Sequence, residues 1–199
     1  VRNCWSSLFT PRAIFYRHEK KLIDAPVSVA VVVQKMVQSE ISGIVFTVHP
    51  VTENADQMII EAGLGLGEAI VSGQITPDSY IVGKKEMVIL DVNVGTQTRK
   101  LAKSSHLSAR QVKHKNTKIQ QQNTNGEDKE FQNEWLGLGE EGSKQKLTGK
   151  QIIELAGLCK KIEEHYGFPC DIEWAYEGGR FYITQSRPIT TLKHENIKT

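Results

Sequence analysis

The spacing of apolar residues changes along the 199-residue chain, and each change marks a predicted element. One or two helices are predicted in the first 24 residues, because apolar side chains recur there at near-helical spacing, at Trp5, Leu8, Phe9, Ile14 and Phe15. Thr10-Pro11 predicts the start of the second helix, because proline is well tolerated in a first helical turn. The β-branched run from Val27 to Val37 then predicts a buried strand.

Short apolar runs separated by turn residues follow, and this alternation favours an antiparallel sheet. We expect these strands at 43–48, 57–62, 80–82, 87–92 and 95–101. Gly63, Gly65 and Gly67 interrupt the pattern and predict a flexible loop. A short helix over 68–72 is expected to begin directly from that loop.

The stretch 103–147 is polar and contains few large apolar residues, which is typical of a variable, insertion-like region. Within it, 120–129 is predicted to be a mobile surface loop. Thr148 predicts the N-cap of a helix that ends near Tyr166-Gly167. A hairpin is expected next, with strands at 170–176 and 180–185 around Gly178-Gly179.

The composition argues against several classes of function. The formal net charge is only +2, so the basic stripe of a nucleic-acid binder is not expected. The longest mainly apolar stretch, Val27–Val33, is too short to cross a bilayer. Cys4, Cys159 and Cys170 match neither a zinc pattern nor a disulfide framework, which favours a reducing cytoplasm. Because the chain begins at Val1, inside a helical pattern, we expect this chain to be part of a longer protein.

The final hairpin carries the most informative polar residues. Strand alternation places Asp171, Glu173 and Ala175 on one face, and it places Ile183, Gln185 and Arg187 on one face of the return strand. A carboxylate and an amide oxygen suit Mg²⁺, and a guanidinium suits phosphate. Alternation alone favours a simpler alternative, a solvated face on which Glu173 and Arg187 form an ordinary cross-strand pair.

Two other segments admit a ligand but do not require one. The strand, glycine loop and helix start over 59–68 could present backbone N–H groups to phosphate. A dinucleotide fingerprint with Asp91 as ribose ligand is a rival interpretation, but Glu68 occupies the place of its third glycine. Gln34–Val37 could offer backbone groups to an adenine edge. Without a ligand, these segments are a turn and a core strand.

Four motifs, taken together and in this order, resemble the nucleotide-binding domain of the phosphoenolpyruvate synthase and dikinase family. They are CWSSLFTPRA at 4–13, ISGIVFT at 41–47, GEAIVSG with TPDSY inside 61–80, and DIEWA with QSRP at 171–175 and 185–188. The resemblance covers nearly the whole chain except the polar stretch 103–147. Several motifs in order are more specific than any one of them.

The resemblance implies an α+β, ATP-grasp-like fold with a mostly antiparallel sheet and flanking helices, of which residues 1–199 would form part of one domain. It implies ATP and Mg²⁺ as ligands. Adenine would meet Gln34, Lys35, Met36 and Val37, ribose would meet Glu40, and Glu68 would lie at the same cleft. Glu173 and Gln185 would hold Mg²⁺. Glu173 and Arg187 would be the catalytic pair, with Arg187 neutralising the transferring phosphate and contacting the nucleotide.

The implied activity is transfer of the β-phosphate of ATP to a histidine outside this chain and on to pyruvate. The implied partners are an N-terminal ATP-grasp lobe, a phosphohistidine domain and a pyruvate-binding barrel. The similar rifampicin phosphotransferases share the nucleotide domain, so an antibiotic acceptor is one alternative. A non-catalytic ATP-binding remnant is another. This segment alone is expected to bind nucleotide weakly and to have no turnover.

Overall fold

The computed structural model describes residues 1–22, 25–103 and 133–190. The predicted mobile loop at 120–129 therefore lies outside the described residues. The chain divides into two compact units, Val1–Met36 and Val37–Thr199, and each is described by itself.

The first unit is helical at its start. It contains α1 (Arg2–Ser6), a 3-10 helix (Ser7–Phe9) and α2 (Pro11–Glu19). Thr10 has extended backbone angles, and its Oγ1 accepts a hydrogen bond from the Ala13 amide at 3.4 Å. The predicted start of the second helix at Thr10-Pro11 is therefore confirmed, because Thr10 satisfies an amide that the first turn leaves unpaired.

The predicted buried strand over Val27–Val37 is wrong. The described part of this run forms no strand, and Val32 and Val33 are 82% and 87% exposed. A β-branched run favours extended backbone, but a strand also needs a neighbour that pairs its N–H and C=O groups and covers its side chains. The described residues of the first unit include no such neighbour.

The second unit is built on a six-stranded antiparallel sheet in the order β4-β3-β2-β1-β7-β8. Its strands are β1 (Ile41–Phe46), β2 (Gln57–Leu64), β3 (Asp78–Gly83), β4 (Val88–Asn93), β7 (Cys170–Glu177) and β8 (Arg180–Pro188). A separate two-stranded ribbon pairs β5 (Arg99–Lys103) with β6 (Asn133–Gly137). The architecture is therefore α+β with antiparallel strands, as expected, although β6 was not predicted within the polar stretch.

One face of the large sheet is covered by α4 (Gly149–Tyr166). Thr148 and Gln151 form a reciprocal capping box at its start, and Gly167 ends it with φ 73°. Both predicted helix boundaries are confirmed, since these residues supply the cap and the left-handed turn that they favour. The core between α4 and the sheet includes Val45, Met58, Ile60, Tyr80, Ile152, Leu155, Ile172 and Trp174.

A buried ion pair joins β3 to the segment before α4. Lys146 Nζ lies 2.9 Å from Asp78 Oδ1, and both side chains are fully buried. Tyr80 donates its hydroxyl to Asp78 Oδ2 at 2.6 Å, and the Lys146 amide donates to the same oxygen at 2.7 Å. Burial and this acidic partner raise the pKa of Tyr80. The TPDSY motif thus has a structural role at this end of the core.

Candidate functional site

The face of the sheet opposite α4, called the open face here, carries the polar residues of the final hairpin. Glu173 pairs with Gln185 across β7 and β8, and Asp171 pairs with Arg187. The alternate residues of β7, Ile172 and Trp174, are buried in the core beneath α4. Because side chains alternate along a strand, the four polar side chains lie together on the open face.

Glu173 and Gln185 are in direct contact. Gln185 Nε2 donates to Glu173 Oε1 at 3.2 Å. Two neighbouring ligands of an octahedral Mg²⁺ with bonds of about 2.1 Å lie about 3 Å apart, so this separation fits the metal after the Gln185 amide rotates to present its oxygen. The pair therefore has the chemistry and spacing to hold a hard cation.

Arg187 is held by Asp171. Its Nε and Nη2 lie 2.8 Å and 2.6 Å from the same carboxylate oxygen, Asp171 Oδ2. The Asp171 side chain is only 11% exposed whereas that of Arg187 is 63% exposed, so one edge of the guanidinium is anchored and the other faces outward. The hydrogen bond to Asp171 raises the pKa of Arg187. The alternative pairing of Glu173 with Arg187 is therefore not the one that forms.

Asp171 was not among the predicted site residues. Alternation placed it beside Glu173, but only the cross-strand register assigns it to Arg187. The same register corrects another prediction. It shifts between Glu173 and Trp174, so that Ile183 pairs with Trp174 and packs against the core. Ile183 does not share a face with Gln185, because the bulge inserts one residue and reverses the alternation.

A further carboxylate lies on the same row of the open face. Ile44 on β1 pairs with Glu61 on one side and with Glu173 on the other. Glu61 is half-buried, and burial raises its pKa. Within the described ranges its side chain has no hydrogen bond or ion pair. Sequence reasoning placed Glu61 inside a family motif but assigned it no role.

The glycine loop uses several of its amides internally. The amide of Leu64 donates to Gln97 Oε1 at 2.8 Å, and those of Gly65 and Leu66 donate to backbone oxygens at 2.9 Å. These three amides are engaged and do not face a phosphate. The dinucleotide interpretation with Asp91 is wrong, because β2 and the strand that follows are antiparallel, whereas that fingerprint belongs to a parallel β-α-β unit.

A hollow of about 320 Å³ lies at the start of β1. Its lining combines apolar surface, two carboxylates and lysines, and it consists of Gln38, Ser39, Glu40, Gly65, Leu66, Lys100, Ala102, Lys103, Leu136 and Glu177. Glu40 Oε1 accepts from the Gly178 amide at 3.0 Å, and Glu177 Oε2 accepts from the Gln38 amide at 3.1 Å. Glu177 lies four residues beyond Glu173, which is about 13 Å along the strand.

The structure places the other predicted residues as follows. Glu40 lines the hollow. Glu68 is the first residue of α3 (Glu68–Val71), is exposed, and accepts from Asn133 Nδ2 at 3.2 Å. Gln34, Lys35 and Met36 end the first unit, and Val37 begins the second. The adenine contact predicted for these four residues stays a prediction.

Within the described ranges, no group of three or more His, Cys, Asp or Glu side chains is placed to hold a metal ion. A cation at Glu173 and Gln185 would therefore need oxygens from its ligand or from water, as Mg²⁺ commonly does. None of the described helices combines the length and the apolarity needed to cross a membrane.

Comparison with known proteins gives consistent matches. The family model described as pyruvate phosphate dikinase, AMP/ATP-binding domain, matches residues 1–199. Over 97% of the chain, 42% of residues are identical to a probable phosphoenolpyruvate synthase of Methanocaldococcus jannaschii. Over 98% of the chain, 45% of residues are identical to phosphoenolpyruvate synthase of Pyrococcus furiosus. Over 96% of the chain, 39% of residues are identical to rifampicin phosphotransferase of Bacillus cereus.

The chain spans only 14%, 22% and 19% of the lengths of these three relatives, respectively. The match therefore concerns one part of much longer proteins. Because the family model covers every residue, and because the identity is high over nearly the whole chain, the chain belongs to the pyruvate phosphate dikinase AMP/ATP-binding domain family.

Proposed function

We propose that this chain is the ATP-binding part of a phosphoenolpyruvate synthase-like phosphotransferase with an ATP-grasp fold. Its ligand is ATP with Mg²⁺. The β-phosphate passes to a histidine outside this chain and then to pyruvate, water takes the γ-phosphate as inorganic phosphate, and AMP is released. The observation that carries the proposal is the contact of Glu173 with Gln185 beside the Asp171-anchored Arg187. These groups offer oxygen ligands and a cation on one face of one hairpin.

Glu173 and Gln185 are the proposed metal ligands. Bound Mg²⁺ would neutralise charge on the phosphate oxygens that complete its coordination. The two side chains already touch, so little side-chain ordering is required when they bind the metal. Glu173 is therefore assigned to holding the reacting phosphates in place rather than to covalent chemistry.

Arg187 is the proposed phosphate-binding cation. Asp171 occupies one edge of the guanidinium, and the remaining N–H groups can donate to phosphate oxygens. A preoriented cation stabilises charge that develops during phosphoryl transfer without reorganising at that moment. Asp171 is a positioning residue in this scheme, because it acts through Arg187.

The nucleoside is proposed to occupy the hollow that Glu40 lines. The separation of about 13 Å between Glu177 and Glu173 along β7 is comparable with the length of a nucleoside triphosphate from its sugar to its last phosphate. Glu40 and Glu177 each have carboxylate lone pairs left to accept from ribose hydroxyls. Gln34, Lys35, Met36 and Val37 would meet the adenine, and Glu68 would lie at the rim of the cleft.

The remaining parts of the enzyme are proposed from the family resemblance, and the greater lengths of the relatives leave room for them. Residues 1–199 would form part of an ATP-grasp domain, with 103–147 as a variable region. A first lobe with further phosphate-binding residues, a phosphohistidine domain and a pyruvate-binding barrel would complete the protein. Each of the three relatives named above is more than four times as long as the segment matched.

The test is titration calorimetry with Mg·ATP on the protein expressed from its complete coding sequence. Arg187→Ala and Glu173→Gln should each weaken binding about 10-fold or more, since each removes a charged contact to the metal–phosphate group. Lys161→Ala and Glu164→Gln are matched controls, because both residues are exposed on α4, on the opposite side of the sheet. Equal affinities in wild type and in both site variants would reject the site.

A rifampicin phosphotransferase-like activity is the second candidate, since the Bacillus cereus relative is 39% identical over 96% of the chain. The same complete protein can be incubated with Mg·ATP and either pyruvate or rifampicin. Phosphoenolpyruvate as the product supports the first proposal, and a phosphorylated antibiotic supports the second. ATP binding without either product would support a non-catalytic module.

A further inference from the structure

The β5–β6 ribbon has two different faces. Leu101 and Trp135 pair across the ribbon and pack against Leu66 and against Ala69 of α3. Lys100 pairs with Leu136, and these residues point to the other side, where they line the hollow with Ala102. The ribbon is therefore anchored on one face and forms a wall of the hollow with the other.

Gly65 allows the ribbon to approach this closely. A Cβ at Gly65 would lie 2.4 Å from the Leu101 oxygen and 3.1 Å from Lys100 Cβ. The Leu66 amide donates to the same Leu101 oxygen at 2.9 Å. The stem of Lys100 is thereby placed directly over the glycine loop, at the boundary between the hollow and a neighbouring one of about 430 Å³.

Lys100 carries an unused charge at this position. It is half-buried, and within the described residues its ammonium has no ion pair or hydrogen bond. The neighbouring Lys146 is different, because Asp78 and two backbone oxygens satisfy it. Lys103, which also lines the hollow, already has an interaction partner. The Lys100 ammonium is therefore available to bind an anionic ligand.

We propose that Lys100 binds the first phosphate of a nucleotide whose nucleoside lies in the hollow. The inference rests on the proposed function and adds a residue to that site. The Glu173–Gln185 pair lies about 13 Å from Glu177 along β7, and Arg187 lies two strand positions farther on, opposite Asp171, where these groups can serve the terminal phosphates. The phosphate next to the sugar is beyond their reach, and Lys100 supplies its counter-charge. The site should therefore favour AMP over adenosine.

The experiment uses the protein expressed from its complete coding sequence and measures AMP and adenosine binding by calorimetry. Lys100→Met should weaken AMP binding about 10-fold and change the affinity for adenosine less than about 2-fold, because only AMP carries the phosphate. Lys100→Arg should retain AMP binding. Lys144→Met is the control, since Lys144 lines only the neighbouring hollow. In wild type, AMP binding should weaken with added salt more steeply than adenosine binding.

The proposal is overturned if Lys100→Met binds AMP as tightly as wild type does, or if it loses AMP and adenosine affinity by the same factor. The second outcome would make Lys100 part of the nucleoside wall only. If Lys100→Met does not fold, as judged by thermal unfolding, Lys100→Gln provides the same comparison. Wild type that binds neither ATP, AMP nor adenosine would reject the proposed function itself, which is a separate result.

Discussion

At the scale of single residues, the hairpin site depends on which side chain each polar group meets. Asp171 takes one edge of Arg187, and Gln185 meets Glu173, so each of the four has a partner before any ligand arrives. Alternation predicts the shared face of these residues. It does not predict that Asp171, rather than Glu173, pairs with Arg187, because that choice follows from the register of β7 with β8.

Glu61 lacks a partner within the described residues, and this leads to a pH-dependent prediction. Burial raises its pKa above the ordinary 4.5, so the folded state binds the proton more tightly than the unfolded state does. Its favourable contribution is present below pH 4.5 and is lost as pH rises through the folded pKa.

Glu61→Gln should therefore stabilise the protein at pH 7, by about 0.5 kcal/mol after allowing for solvent screening at its exposed part. The gain should shrink towards pH 4, where the wild-type carboxyl is protonated. Urea unfolding at both pH values measures this difference. Glu164→Gln is a control because Glu164 is exposed on α4. A gain that does not depend on pH would contradict the assignment.

At the scale of elements, the glycine loop serves packing. Gly65 has φ +96°, and the Leu101 oxygen occupies the space that a Cβ would need. The loop therefore joins β2 to the ribbon and fixes the wall that carries Lys100. Sequence alone left both a phosphate-binding loop and a ligand-free turn open, because glycine content does not reveal which amides are already bonded.

Gly65→Ala should destabilise the protein by about 3 kcal/mol, because the unfavourable backbone angle and the steric conflict act together. Gly73→Ala is a matched control, since Gly73 has φ +68° with open space around it. It should cost only about 1 kcal/mol, from the backbone angle alone. Urea unfolding of both variants measures the difference. Similar losses in the free energy of unfolding would show that the ribbon moves to accommodate the added Cβ without a further loss of stability.

At the scale of the whole molecule, the Asp78–Lys146 pair joins the sheet to the start of the α4 layer. Both side chains are fully buried, and Tyr80 and backbone groups complete the network. Breaking such a pair leaves one buried charge without compensation, and the loss typically exceeds the net stabilisation that the intact pair provides.

Asp78→Ala should therefore lower the free energy of unfolding by about 3–5 kcal/mol. The exposed pair Lys85–Asp56 offers the contrast, because its side chains are 70% and 61% exposed. Lys85→Ala should leave the unfolding midpoint unchanged within error. Denaturant titration measures the free energy of unfolding of each variant. A small loss of stability in Asp78→Ala would mean that water or a neighbouring group compensates the charge of Lys146.

Local sequence signals predicted most elements of the second unit. Thr148 and Gly167 bound α4, and alternating apolar runs mark the strands of the sheet, because caps and alternation depend on near neighbours in the chain. Four motifs in order also indicated the family that the whole-chain match confirmed.

Which strands and side chains meet follows from the folded arrangement and could not be predicted from the sequence. The register shift after Glu173 turned Ile183 to the core, the ribbon gathered Lys100 and Leu136 onto one wall, and the run at 27–37 remained without a partner among the described residues. These outcomes depend on contacts between residues far apart in sequence, and neither local propensity nor periodicity contains that information.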